Sequence, residues 1–156
     1  MNTYLLLKFL HIISGTVLFG TGIGIAFFNL STDRSGNIKA IQVVAERIVL
    51  ADLIFTTPAV IVQPVTGFYL AYIAGFPMAS GWIMYAFFLY VVAGCCWLPV
   101  LWLQIKMRDI ARISDKQNVQ LPQQYWKYSR IWFWLGVPAF GAITIVYWLM
   151  VFKPTL

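Results

Sequence analysis

Charge is what this sequence has least of. Only 10% of its 156 residues are Asp, Glu, Lys or Arg, against about 25% in an average soluble domain. A surface so poor in ions cannot be wetted all round, which excludes an ordinary soluble globule. Histidine occurs once, as His11, and cysteine twice, as the neighbours Cys95 and Cys96. Adjacent helical residues point in different directions, so this pair is poorly placed to form a disulfide. Free buried cysteines behave as small hydrophobes. No serine, histidine and acid arrangement suggests nucleophilic catalysis, and no nucleic-acid-binding motif is present. The first seven residues hold no Lys or Arg, and Ala26-Phe27-Phe28-Asn29 does not resemble a cleavage site, so the first apolar run is expected to be retained.

What the sequence has instead is apolar length. It is 61% hydrophobic, with a mean hydropathy of +0.79. Stretches of about 20 apolar residues read as membrane-spanning helices. Four are present, at about 4–28, 50–73, 82–104 and 131–152. The expected fold is all-α, a single integral membrane four-helix bundle. The net charge of +6 is a topology signal. Arg34, Lys39, Arg47, Lys106, Arg108, Arg112, Lys116, Lys127 and Arg130 flank two connections on one side, while the other side holds only Lys8 and Lys153. By the positive-inside asymmetry, both termini face the periplasm or exterior of a bacterial inner membrane and the basic loops face the cytoplasm.

Local signals refine the elements. Asn29 to Asn37 (NLSTDRSGN) reads as a turn, with Asn37 as N-cap of the next helix. That helix begins with an amphipathic overhang, Ile38 to about Val49. Pro58 and Pro64 should each free a carbonyl four residues earlier, at Ile54 and Val60, and kink the span; neighbours must then satisfy the freed groups. The third helix should continue past Gln104 to Ile113. Ser114 to Leu121 reads as a loop, and Pro122 suits the first turn of the last helix.

His11 is the main candidate for chemistry. An ionisable side chain in a span is costly and usually functional. At 1.5 Å per residue it lies about 10 Å below the membrane boundary. His11, Gly15 and Gly22 fall roughly on one helix face, where small residues let a helix or a flat cofactor approach. The functional reading is a haem or metal ligand, or a proton-relay group. The structural reading is a helix contact with one hydrogen-bonded histidine. Lys8, one turn earlier, is close enough to the boundary to snorkel.

The second span adds a polar stripe of Asp52, Thr56, Gln63 and Gly67, with Thr66 beside it. Gln63 and Thr66 come near His11 in depth. Gln63 suits a hydrogen bond to His11 or to a cofactor propionate, or a plain bond between helices. Asp52 is expected at the interface, paired with a loop cation. A proton path needs several buried acids or histidines along its length, which the sequence does not supply. Copper would use soft ligands, but Met78 and Met84 form no Met-x-Met cluster and the cysteines lie at another depth than His11. It is the weaker metal reading beside haem b.

Lys8-Phe9-Leu10-His11-Ile12, with glycines following, resembles the K-x-x-H-I opening of several small bacterial membrane proteins. These include HemJ-type protoporphyrinogen oxidases and the membrane domain of copper-resistance CopD proteins. In hydropathy and topology the whole chain most resembles a four-helix family known only as predicted integral membrane proteins of unknown function. The HemJ resemblance implies haem b binding at His11. The lysine those proteins carry at the start of a later span has no counterpart in Trp82 to Tyr90. The expected function is therefore a haem- or metal-related redox accessory factor. The alternatives are an assembly subunit that packs a partner, or a second copy as a homodimer, through its glycine face, and a small-molecule transporter.

Overall fold

The computed structural model describes residues 2–154. It consists of four long helices: α1 (Thr3–Ser35), α2 (Ile38–Ile73), α3 (Gly81–Gln117) and α4 (Gln123–Phe152). Each holds an 18-residue window with mean hydropathy between 1.7 and 2.0, and only 11% to 22% of those windows is buried inside the chain. Apolar side chains that point outward in this number need a lipid solvent. The protein is a multi-pass membrane protein. The chain ends and the 74–80 connection lie at one end of the bundle, and residues 36–37 and 118–122 turn at the other, the basic end.

The first turn is shorter than the sequence suggests. Residues 29–35 continue α1, and the reversal is made by Gly36 alone, at φ 64°, followed by Asn37. Tertiary bonds override the local turn signal. Asn29 and Asp33 are buried. The Tyr125 hydroxyl donates to Asp33 Oδ1 and the Ser129 hydroxyl to Asp33 Oδ2, both at 2.7 Å. This extension lies beyond the apolar stretch that ends at Phe28. Burial pushes the Asp33 carboxyl above its ordinary range, partly offset by the two hydroxyl donors. Asn37 caps α2 as expected, its side chain accepting from Ala40 N–H. The last loop is also shorter than expected, because α3 runs on to Gln117; Asn118, in the left-handed region, ends it. Pro122 precedes α4 as its N-cap.

α2 is continuous but irregular. Asp52–Thr56 forms a π-helical turn just before Pro58, a common way for a helix to absorb an extra residue near a proline. Further on, Pro64 has no N–H for the Val60 carbonyl, and Tyr90 of α3 supplies the missing donor at 2.7 Å.

The helices form two hairpins, α1–α2 and α3–α4. Their common core lies toward the basic end, where Ile25, Ile41, Ile48, Val100, Leu103, Met107, Ala111, Tyr125 and Trp132 pack together. Lys39 with Asp115 and Arg112 with Glu46 join α2 to α3 outside it, at 2.9 and 2.8 Å. Toward the chain ends the packed apolar cluster is a small one, Ala86, Val146 and Leu149, and it belongs to the α3–α4 hairpin alone. The hairpins are thus welded at one end and parted at the other.

Candidate functional site

The gap at the parted end is a cavity of about 410 Å³ lined by all four helices. Its walls are mostly apolar, with Phe68, Ile83, Phe87 and Val146 among them; the polar groups are Lys8, His11, Thr16, Gln63, Tyr90 and Tyr147. Volume and lining are those of a small-molecule or cofactor pocket.

His11 reaches this cavity from α1 and is fixed from α2. Its Nδ1 lies 2.8 Å from Thr66 Oγ1. The Thr66 hydroxyl has one proton and donates it to Val62 O, one turn back, at 2.7 Å. With its proton on that carbonyl the oxygen accepts from the imidazole, an arrangement that goes with the ring proton on Nδ1. In that tautomer Nε2 carries the lone pair, and no hydrogen bond to Nε2 is found among the described residues. A histidine whose second nitrogen donates to a fixed acceptor is the usual arrangement of a metal-ligating imidazole. The ring stands over Gly67, where an added Cβ would come within 3.1 Å of His11 Cε1. Glycine is what admits the ring.

Gln63 holds the backbone rather than the ring. Its Nε2 donates to the His11 carbonyl at 2.7 Å and to Ser14 Oγ at 2.9 Å. Both amide hydrogens are thereby engaged. Gly15 is buried in the same contact: a Cβ there would meet Tyr147 Oη at 2.6 Å and Gln63 Nε2 at 2.7 Å. The structure thus gathers His11, Gly15 and Gln63, and adds Thr66, Gly67, Tyr90 and Tyr147. Gly22 stands apart, with nothing within 4 Å of an added Cβ, as do Gly20 and Gly24. Tyr147 and Tyr90 escaped sequence reasoning because aromatic residues crowd every span end; only their partners, a glycine and a proline-freed carbonyl, could have singled them out.

The remaining candidates lie elsewhere. Lys8 is exposed and borders the cavity. Met78 and Met84 are exposed, and both cysteines are free. No group of three or more His, Cys, Asp or Glu side chains able to hold a metal gathers among the described residues. Asp52 is not paired with a loop cation among the described residues, contrary to expectation. It is 3% exposed and lies in the π-helical turn inside the bundle, while Lys39, Arg108 and Arg112 pair with Asp115, Asp109 and Glu46.

No curated protein and no solved structure matches the chain. Residues 5–154 match the model of a family described as predicted integral membrane protein (DUF2269). With nearly its whole length matched, the chain belongs to that DUF2269 family of integral membrane proteins.

Proposed function

We propose that this protein binds a flat, apolar cofactor between its two hairpins, with His11 Nε2 as ligand, and serves as a haem-binding redox accessory factor. One observation carries the reading: Thr66 Oγ1 lies 2.8 Å from His11 Nδ1 with Val62 O as its own acceptor, and with Nδ1–H donating to it Nε2 presents its lone pair to a cavity that all four helices build. The residues present fit a b-type haem. The donor is a neutral imidazole, the walls are apolar, and Lys8 at the border offers a cation to the carboxylates such a group carries. When bound, the haem supplies one-electron redox chemistry. The chain's own part is to hold His11 in one tautomer, to keep Gly15 and Gly67 free of side chains, and to exclude water with aromatic walls. Copper fits less well: Met78 and Met84 are exposed, and Met150 alone among the described methionines lines the cavity, with no cysteine beside it. The excess of Lys and Arg at the basic end supports an orientation with that end in the cytoplasm of a bacterial inner membrane.

The test is an absorption spectrum of the full chain purified in mild detergent. A Soret band in the wild type that disappears in His11→Ala supports the proposal. Colourless wild-type protein that stays colourless when haemin is added overturns it.

A second reading has its own observation. Gly20, Gly22 and Gly24 meet nothing in their own chain, so this stretch of α1 is open to a partner helix or a second copy. Gly22→Leu then abolishes self-association or co-purification of a partner. An unchanged oligomeric state and unchanged co-purifying proteins reject it.

A further inference from the structure

The two ends of the bundle differ in how their charges are matched. All five acidic side chains, Asp33, Glu46, Asp52, Asp109 and Asp115, belong to the basic half of the helices, and three cations there sit in ion pairs. The end that holds the cavity has two cations, Lys8 and Lys153, and no acidic side chain. Neither lysine has an ion pair among the described residues. The positive-inside asymmetry disfavours cations at this end, so an unmatched pair beside an apolar cavity calls for a reason.

Both lysines stand at the mouth of that cavity, and both are exposed. Lys8 borders it directly, one turn outward from His11 on α1. Lys153 follows Met150 and Val151, which line it on α4. The Lys153 ammonium lies 4.7 Å from the centre of the Phe76 ring, and Phe76 packs edge-on at 5.5 Å against Trp82, another lining residue. The contact of Gly15 with Tyr147 ties the levels of α1 and α4 together. From there Lys8 is seven residues and Lys153 six toward the chain ends, about 10 Å and 9 Å at 1.5 Å per residue. The two cations thus come to one level, outward of His11, from different hairpins.

We propose that the cavity selects a flat ring that carries two carboxylates, and turns it so that one carboxylate meets Lys8 and the other Lys153. This rests on the haem reading above and deepens it. An ammonium donates to an ionised carboxylate in a charge-assisted bond. Further in, the lining holds the His11 imidazole, hydroxyls and an amide, but no second cation besides Lys8. A carboxylate turned inward would lose its water with no cation to meet it. Charge therefore decides which edge of the ring faces the mouth, and a neutral ring of the same shape is held less well.

The experiment titrates the full chain in a neutral detergent with haemin and with haemin dimethyl ester, which has the same iron and ring but no free carboxylate. The Soret band reads the binding of each. We expect haemin to bind about tenfold or more tightly than the ester, and the preference to shrink at high salt. Lys8→Met and Lys153→Gly each weaken haemin by about threefold or more and leave the ester unchanged. Lys153 stands at φ 43°, where glycine is favoured, so its replacement removes the ammonium without straining the helix end. Equal affinity for haemin and ester in the wild type, or a full preference in either variant, overturns the proposal while the His11 reading stands. Variants that lose haemin and ester alike show that the lysines only support the fold, and overturn it as well. If neither form binds the wild type, the haem reading falls and this inference falls with it.

Discussion

The Tyr90 hydroxyl donates to the Val60 carbonyl at 2.7 Å, and Val60 is the residue whose carbonyl Pro64 leaves without a helical donor. The bond crosses from α3 to α2 beside the cavity. It satisfies the backbone and holds the two hairpins together where little else does. Tyr90→Phe should therefore destabilise the protein by about 1–3 kcal/mol, the cost of a stranded buried acceptor. In a Pro64→Ala background, where the backbone at position 64 regains an N–H for Val60, the loss should fall. Thermal melting of the four proteins in one detergent reads the coupling; equal losses in both backgrounds would show that the proline is not the reason for the bond.

Thr66 sets the tautomer of His11, and this is measurable without any cofactor. Nitrogen-15 spectra of the histidine should show the proton on Nδ1 in the wild type. In Thr66→Val the Nδ1 proton has no acceptor, so the tautomers mix, and any Soret band should broaden or weaken. A single Nδ1–H form in Thr66→Val would place its cause elsewhere.

Two glycines on α1 separate the inside of the bundle from the outside. Gly15→Ala puts a Cβ against Tyr147 and Gln63, an overpacking that should cost about 1–3 kcal/mol. Gly22→Ala meets nothing within 4 Å and should be neutral or stabilising by up to about 1 kcal/mol, from helix propensity alone. Denaturation curves of the two variants check the order; similar values would contradict the placement of Gly15.

The buried Asp33 predicts a pH dependence. Its carboxyl titrates above the unfolded value because burial disfavours the charge. Between the unfolded and the folded pKa the folded state binds more protons, so stability declines as pH rises through that window. Above the folded pKa the cost of charging is complete. The melting temperature of the wild type relative to Asp33→Asn should fall from acid toward neutral pH. A difference that is flat with pH would mean Asp33 titrates normally.

Sequence alone made the four spans legible, because apolar runs this long and this free of charge suit a bilayer and little else. It also reached the Asn37 cap and the need for a donor at Val60, both of which follow from single-residue chemistry. The extension of α1 through Ser35 was hidden, since Asn, Ser, Thr and Asp signal a turn unless a distant Tyr125 and Ser129 bind them. Near His11, common depth brought Gln63 and Thr66 into view, but depth cannot tell which atom meets which. That Thr66 holds the ring while Gln63 holds the backbone depends on rotation of α2 by a fraction of a turn. The π-helical turn changes that rotation by one residue, and no local pattern announced where it would fall.

The ion pairs, the Asp33 hydroxyl bonds and the shared core all join the hairpins at the basic end. Toward the chain ends the hairpins meet through fewer contacts, the Tyr90–Val60 bond and the Phe19–Phe140 and Phe68–Phe87 ring pairs among them. Part of the shared core, Met107, Ala111 and Tyr125 among it, lies beyond the apolar spans, whereas the residues lining the His11 cavity all lie within them. The cavity is thus the part of the bundle most directly exposed to bilayer thickness and lateral pressure, and its width should differ between a detergent micelle and a membrane.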